Sequence, residues 1–207
     1  MKNFCLLFFA VLGLLSCAGP KSMNAAGWVT LFDGKSLNGW QVGENAETFS
    51  VDSGMIRVQG EVAHLFYAGS VNNHEFTNFH FKADVMTTPG SNSGMYFHTL
   101  FQEKSWPAKG FEIQVNNSHT DWRRTGSVYA IQDVRETFVK DNEWYTQEII
   151  VQGKTVTIKL NGKTINEYTE PENPKGDRII SKGTFALQGH DPKSRVYYKN
   201  IMVKLLP

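Results

Sequence analysis

The stretch Asn92–Asn116 reads NSGMYFHTLFQEKSWPAKGFEIQVN and carries the clearest structural pattern of this chain. It contains two strand-like runs, 94–100 and 110–116, joined by a loop that carries a tryptophan and a proline. In the second run Glu112, Gln114 and Asn116 alternate with Phe111, Ile113 and Val115. Because side chains on a strand point alternately to the two faces of a sheet, this run predicts one apolar and one polar face. In the first run the same rule places Tyr96 and His98 together on one face.

Short strand patterns separated by turn residues fill the rest of the chain. The predicted strands outside the central stretch are 28–32, 47–51, 55–59, 62–68, 76–86, 127–132, 145–152, 155–160, 163–168, 184–188 and 195–205. Asn161-Gly162 and Asp52-Ser53-Gly54 lie between such runs and predict hairpins. No window has apolar residues at helical spacing over three turns. The sequence therefore predicts an all-β, two-sheet sandwich or jelly roll.

The N-terminus resembles a bacterial lipoprotein signal peptide. Lys2 supplies a positive charge, and Leu6–Leu15 is an apolar run too short for a stable membrane span. The motif Leu-Leu-Ser-Cys ends at Cys17, the expected lipidated residue; a cleaved secretory peptide without lipid is the alternative. We expect a signal peptide over 1–16, a lipidated tether over 17–26 and one jelly-roll domain over 27–207. The protein would then lie in the bacterial cell envelope, on the periplasmic or outer-membrane side, held to the membrane only through its lipid anchor.

Composition excludes several classes of site. The two cysteines are Cys5, in the signal segment, and Cys17, so the folded part has no thiol. Disulfides, thiolate metal sites and cysteine nucleophiles are therefore excluded. The formal charge of +1 falls to zero when Lys2 leaves with the signal peptide, and no basic stripe is present. We therefore expect no nucleic-acid partner.

The polar face around Glu112 is typical of a carbohydrate site, because carboxylates and amides bind hydroxyls and flat rings cover the apolar faces of sugars. Trp106 and Trp122 have polar neighbours and are expected in loops, where a large ring needs a ligand or a partner surface. Arg124 lies in the second of these loops and joins the sugar-binding candidates. A solvated outer face of a sandwich would give the same pattern at any one of these positions.

Only half of a glycosidase motif is present. Glu112-Ile-Gln114-Val-Asn116 is similar to the Glu-x-Asp-x-Glu strand of jelly-roll glycosidases, and retaining glycosidases need two carboxylates about 5–5.5 Å apart. Asn116 can neither protonate a leaving group nor attack an anomeric carbon. The site therefore either binds sugar only, or performs a chemistry that needs one base and an electrophilic helper.

The histidines give no metal motif. None of the six forms the i, i+2 or i, i+4 pair typical of zinc sites, and each has a hydrogen-bonded structural role as its alternative. We predict no metal site and no required cofactor. A divalent cation remains open, such as calcium held by loop aspartates that include Asp191.

Six segments, in this order, resemble the 3-keto-disaccharide hydrolase domain family. They are 27–40, 92–98, 109–115, 125–131, 142–168 and 185–206. The resemblance implies a concanavalin A-like lectin/glucanase jelly roll, export in bacteria, and action on glycosides already oxidised at C3. It also implies the site residues Tyr96, His98, Glu112, Gln114, Tyr129, Gln188 and His190.

That substrate class fits a site with one carboxylate. A ketone at C3 acidifies the C2 proton, so one base can remove it before the aglycone leaves C1 and water adds back. We expect Glu112 to be this base and His98 to be the other catalytic candidate, with an oxidised glycoside as substrate. The competing hypotheses are a non-catalytic carbohydrate-binding envelope lipoprotein and a structural envelope domain.

Overall fold

The structure, a computed structural model, describes residue 24 and residues 26–176 and 178–207. The predicted signal peptide, Cys17 and all of the predicted tether except two residues lie outside these described residues. Within the described part of the chain, no helix has the length and apolar character needed to cross a membrane.

The described residues contain thirteen strands and two short 3₁₀ turns. The strands are β1 (Val29–Thr30), β2 (Trp40–Val42), β3 (Phe49–Asp52), β4 (Met55–Val58), β5 (Ala63–Tyr67), β6 (Phe79–Thr87), β7 (Ser93–Thr99), β8 (Phe111–Val115), β9 (Tyr145–Gln152), β10 (Thr155–Leu160), β11 (Lys163–Thr169), β12 (Thr184–Gly189) and β13 (Val196–Leu205). The 3₁₀ turns are Ala46–Thr48 and Val71–His74.

These strands form two antiparallel sheets packed face to face. The larger sheet has the order β11-β10-β9-β6-β13-β4-β3, with β1 also paired to β13, and the smaller has the order β2-β5-β12-β7-β8. Phe81 of the larger sheet stacks on Phe185 of the smaller one, with ring centroids 4.0 Å apart. The fold is the all-β jelly roll that the sequence predicts.

The alternation predicted for the central stretch is confirmed in β8. Phe111, Ile113 and Val115 are fully buried between the sheets. Glu112 and Gln114 lie on the outer face of the smaller sheet, where they line a pocket. The polar side chains of β8 therefore lie on this outer face, and the surrounding loops determine how far they are exposed.

Both predicted hairpins are confirmed. Asn161 and Gly162, between β10 and β11, have φ of 51° and 79°, the left-handed conformation that a type I′ turn requires. Ser53 and Gly54 join β3 to β4 in the same way, with φ of 50° and 82°.

Two local predictions are wrong. The segment 127–132 is not a strand: Val128 makes isolated bridges to Ile113 and Gln132, and the segment turns at Ala130, whose φ is 56°. The Asp133 carboxylate stabilises this turn by accepting the Ala130 N–H at 2.9 Å. In β7, His98 does not share a face with Tyr96, because its φ of 53° breaks the alternation of the strand.

Candidate functional site

A pocket of about 510 Å³ opens on the outer face of the smaller sheet. Its floor is formed by Tyr96 of β7, Glu112 and Gln114 of β8, and Gln188 of β12, three strands that are neighbours in the sheet. Loops supply the walls. A pocket of this size with a few convergent polar groups is typical of a small-molecule site.

The Glu112 carboxylate is the centre of the floor. Antiparallel pairing places Tyr96 opposite Glu112, and the Tyr96 hydroxyl donates to Oε2 at 2.8 Å. Gln188 Nε2 donates to Oε1 at 2.9 Å and also to the Tyr96 hydroxyl at 3.0 Å. Burial raises the pKa of Glu112 to about 7, although the hydrogen bonds that Tyr96 and Gln188 donate to the carboxylate oppose the rise. The carboxyl is therefore held in a fixed position and can exchange a proton near neutral pH.

Gly94 leaves the space that this carboxylate occupies. A Cβ at position 94 would lie 2.4 Å from Glu112 Oε1, well inside van der Waals contact. A glycine at position 94 is thus required by the approach of a side chain from the neighbouring strand.

Two amide oxygens in the floor are left without partners. Gln114 Nε2 donates to Asn92 Oδ1 at 2.7 Å, which fixes the orientation of that amide. Oε1 of Gln114 and Oε1 of Gln188 are buried and accept no hydrogen bond from any residue that the structure describes. Because an unpaired buried acceptor is unfavourable, both oxygens are suited to accept hydroxyl protons from a ligand.

Loop residues place one positive and one negative group in the walls. Arg178 donates from Nη1 to the Tyr129 carbonyl at 2.8 Å and lines the pocket beside that tyrosine. Its charge lowers the pKa of Glu112, so its field reaches the carboxylate. Asp121 also lines the pocket, but Oδ1 accepts the backbone N–H of Arg123 at 3.0 Å and pairs with the Arg123 guanidinium at 3.5 Å.

Trp106 covers one side of the pocket with a ring that is 45% exposed. It makes edge contact with His64, at a centroid distance of 5.5 Å, and lies 5.7 Å from the ring of His190. Gln102 holds the loop by donating to the Trp106 carbonyl at 2.8 Å. Burial lowers the pKa of His64 to about 4, so that this ring is neutral and packs as an aromatic group.

A chain of hydrogen bonds runs along the pocket rim through His190 and Asp191. His190 Nδ1–H donates to Asp191 Oδ2 at 2.8 Å, and the His119 ring lies 5.4 Å from the His190 ring. Burial opposes the charge of Asp191, but bonds from Ser194, His190 and the Lys193 backbone outweigh it and lower the pKa of Asp191 to about 2.

The rim group also has the composition of a metal site. Ligand atoms of His119, His190 and Asp191 lie within 4.8 Å of one another, and two imidazoles with a carboxylate would suit a divalent transition metal. However, both Asp191 oxygens already accept hydrogen bonds, and His119 Nδ1 accepts the Asp121 N–H at 3.1 Å. The observed arrangement is a hydrogen-bonded network in which Asp191 accepts a hydrogen bond from His190.

Seven of the residues singled out by the sequence line the pocket. They are Tyr96, Trp106, Glu112, Gln114, Tyr129, Gln188 and His190. The structure thus brings together residues from three strands and three loops that are up to 94 positions apart in the chain.

His98 lies outside this group, on the core side of the sheet. Its ring packs against Phe79 and Phe97, with centroids at 5.6 and 5.1 Å. Nε2–H donates to the Thr77 carbonyl at 2.9 Å, and Nδ1 accepts the Ser181 N–H at 3.3 Å. Burial lowers its pKa to about 4. Since both ring nitrogens are used and the backbone turns the side chain away from the pocket, the geometry gives His98 a structural role.

Trp122 and Arg124 also lie outside the pocket lining. The Trp122 ring packs under two guanidiniums, those of Arg123 at 4.8 Å and Arg135 at 4.0 Å. Arg124 Nη1 donates to the carbonyls of His119, at 2.9 Å, and Asp121, at 2.5 Å. It therefore stabilises the loop that carries Asp121 and does not face a ligand.

The sequence did not single out Asn92, Asp121, Arg178 or His64 for this site. Asn92 precedes β7 and Arg178 comes from the irregular segment between β11 and β12, where no periodicity exists to orient a side chain. His64 was detectable in part, because it alternates with the core residue Leu65 and shares the outer face of β5 with Phe66.

Comparison with known proteins gives a consistent set of relatives. The family model described as the 3-keto-alpha-glucoside-1,2-lyase-like domain matches residues 27–204. A 3-keto-disaccharide hydrolase of Bacteroides thetaiotaomicron is 25% identical over 175 residues, covering 70% of this chain and 60% of that protein. The chain thus spans about 60% of the length of this curated relative.

Solved structures agree with the fold. A provisionally assigned glycosyl hydrolase of Parabacteroides distasonis superposes with a TM-score of 0.75 at 25% identity, covering 88% of this chain and 95% of that one. The carbohydrate binding module CBM66 of Bacillus subtilis gives a TM-score of 0.59 at 13% identity over 80% of this chain and 95% of its own, a likeness of fold alone.

Proposed function

Because the chain belongs to the family of 3-keto-alpha-glucoside-1,2-lyase-like domains, we propose that its pocket cleaves 3-keto-glycosides, with Glu112 as the base. The observation that carries this proposal is a single buried carboxylate, fixed by Tyr96 and Gln188, whose pKa burial raises to about 7. A base is most effective when its pKa lies near the working pH. The curated relative is a 3-keto-disaccharide hydrolase, which supports the same substrate class for this chain.

The proposed reaction begins with transfer of the C2 proton to Glu112. The electron pair moves toward the C3 carbonyl. The negative charge of the developing enolate would be stabilised by the guanidinium of Arg178, which lines the pocket wall. The C1–oxygen bond then breaks and releases the aglycone. Addition of water to the resulting double bond at C1, with return of the proton to C2, gives the free 3-keto sugar.

The pocket floor supports recognition of a sugar ring. The unpaired Oε1 atoms of Gln114 and Gln188 can accept protons from two hydroxyls, and the exposed ring of Trp106 can cover an apolar face of the pyranose. Hydrogen bonding at the floor and ring contact at the wall would orient the C2–H bond toward Glu112.

A carbohydrate-binding protein without turnover is the second candidate. It is favoured by the exposed Trp106 ring, since such rings serve binding modules as well as enzymes. Sugar binding alone does not require a carboxyl with a raised pKa, such as that of Glu112, and we therefore place this alternative second.

The test is a panel of 3-keto-glucosides assayed beside their unoxidised parents. We expect aglycone release from the oxidised compounds only, and its loss in the Glu112→Gln variant. Release from the unoxidised parents would indicate ordinary glycosidase chemistry, with Asp121 as the second carboxylate, and would overturn the proposal. Calorimetric binding of the oxidised compounds without release would instead favour the binding protein.

A further inference from the structure

We propose that His190, oriented by Asp191, is the second proton-transfer group of this site, acting on the aglycone oxygen and then on water. This inference rests on the proposed function. The elimination step leaves an oxygen that needs a proton, whereas Glu112 keeps the C2 proton in order to return it when water adds. In this cycle a second group is therefore required whenever the aglycone is a poor leaving group.

The geometry of the rim defines which nitrogen of His190 is available. Nδ1–H donates to Asp191 Oδ2 at 2.8 Å, so the remaining ring nitrogen, Nε2, is the atom left to exchange a proton. Nε2 makes no hydrogen bond within the described part of the chain, and the ring lines the pocket.

Asp191 is itself held in place. Its Oδ1 accepts the backbone N–H groups of Lys193 and Ser194 at 2.9 and 3.1 Å, and the Ser194 hydroxyl donates to Oδ2 at 2.7 Å. A carboxylate fixed by three donors sets both the tautomer and the direction of the histidine beside it, which is the part that the acidic member plays in hydrolase triads.

The neighbours of His190 are consistent with this role. Trp106 covers one side of its ring, and His119 lies on another side. His119 Nδ1 accepts the Asp121 N–H, so its neutral form carries the proton on Nε2 and can act only as a donor there. The Asp191 and Asp121 carboxylates and the Arg124 guanidinium also lie at this end of the pocket.

His190 lies close to the base in the chain and in the pocket. Gln188, near the end of β12, contacts Glu112 at 2.9 Å, and His190 follows just after that strand. Glu112 and His190 line the same pocket, so Glu112 can face C2 while His190 faces the oxygen on C1.

The proton balance closes over one cycle. Protonated His190 gives its Nε2 proton to the aglycone oxygen as the C1–oxygen bond breaks and Glu112 receives the C2 proton. Neutral His190 then takes a proton from water as the hydroxyl adds to C1, and Glu112 returns its proton to C2. Both groups end as they began, with one water consumed.

The experiment compares leaving groups in His190→Gln. Cleavage of methyl 3-keto-glucoside should fall by about 10²- to 10⁴-fold, the usual worth of a positioned acid. Cleavage of the 4-nitrophenyl compound should stay close to that of the wild type, because 4-nitrophenolate departs without protonation. Exchange of the C2 hydrogen with deuterated water should persist, because Glu112 remains. Asp191→Asn keeps an oxygen that can accept the Lys193 and Ser194 N–H groups. It should slow cleavage of the methyl compound more than that of the 4-nitrophenyl compound, with a smaller loss of rate than His190→Gln.

His80→Gln is the matched control, since His80 forms the same kind of pair with Glu148, at 2.7 Å, in the larger sheet away from the pocket. It should leave both rates unchanged. Equal losses of rate for both leaving groups in His190→Gln would overturn the proposal. Loss of wild-type activity on chelation and its recovery with a divalent cation would also overturn it, because that result would indicate a metal at the rim. If the wild type neither cleaves nor exchanges C2 of any 3-keto-glucoside, the proposed function itself fails.

Discussion

Removal of the Tyr96 hydroxyl should move the pH dependence of the reaction upward. Tyr96 donates to Glu112 Oε2 at 2.8 Å, and this bond lowers the pKa of a carboxyl that burial otherwise raises to about 7. Tyr96→Phe keeps the ring, which packs against Phe66 and Ala186, and removes only the donor. Gln188 still donates to the other oxygen, so the carboxylate stays in place.

The size of the shift follows from the strength of the lost bond. A hydrogen bond to a charged group contributes about 1.5–3 kcal/mol, and one pKa unit corresponds to about 1.4 kcal/mol. The pKa of Glu112 should therefore rise by roughly 1 to 2 units. A base works when deprotonated, so kcat/KM at pH 7 should fall roughly 5- to 50-fold and should recover near pH 9 to 10.

The assay is kcat/KM for a 3-keto-glucoside between pH 5 and 10, with Tyr197→Phe as the control. Tyr197 lies on β13 in the larger sheet, so its variant should keep the wild-type inflection near pH 7. Carbon-13 NMR of the Glu112 carboxyl gives the same pKa without turnover. An inflection in Tyr96→Phe that stays in place or moves to lower pH would refute the assignment of Glu112 as the base.

Four further changes test other parts of the structure. Glu112→Gln should lower turnover about 10²- to 10⁴-fold. The variant should also gain stability relative to the wild type as pH rises from about 4.5 to 7, because ionising a carboxyl of raised pKa destabilises the folded wild type in this range. A difference in thermal midpoint that does not change with pH would contradict this. Trp106→Ala should weaken sugar binding by about 0.5–1.5 kcal/mol with little change in thermal midpoint. Trp122→Ala should leave the affinity unchanged. Equal affinities in a titration of both variants would argue against stacking of the sugar on Trp106. Gly94→Ala should remove activity, because its methyl group would displace the Glu112 carboxylate, and normal rates in it would show that the carboxylate position is not critical. Cys17→Ser should release the protein from membranes or leave the precursor uncleaved, and unchanged processing and membrane recovery on fractionation would disprove lipidation there.

Local sequence pattern was sufficient for most strands and for the floor of the site. Alternation placed Glu112 and Gln114 on the outer face of β8 because their neighbours Phe111 and Ile113 must be buried. The family predicted from six ordered segments is confirmed. These features depend on residues a few positions apart, which a linear pattern records.

The errors arise where contacts distant in sequence decide the conformation. His98 leaves the alternation because the Thr77 carbonyl and the Ser181 N–H bind its ring on the core side. The rings of Trp28 and Trp144 lie beneath Lys82 and Lys199, whose ammonium groups are 4.1 and 3.9 Å from the ring centroids, and the local pattern does not record these contacts.

Part of the walls of the site could not be predicted for the same reason. Arg178 enters the pocket from an irregular segment, and its position is set by the Tyr129 carbonyl, 49 residues away. No spacing rule connects two loops that meet only after both sheets have formed. The sequence therefore identified the groups on strands and the loop residues Trp106, Tyr129 and His190, but it missed Asp121 and Arg178.

The three strands beneath Glu112 have a practical consequence for altering this protein. Tyr96, Glu112 and Gln188 sit on the paired strands β7, β8 and β12, whereas Trp106, Arg178 and His190 lie outside the strands. A mutant library confined to residues 101–108 and 171–179 would vary the walls while leaving the floor around Glu112 intact. Such a library should yield changed aglycone preference far more often than lost folding, which makes this sheet a suitable scaffold for directed evolution.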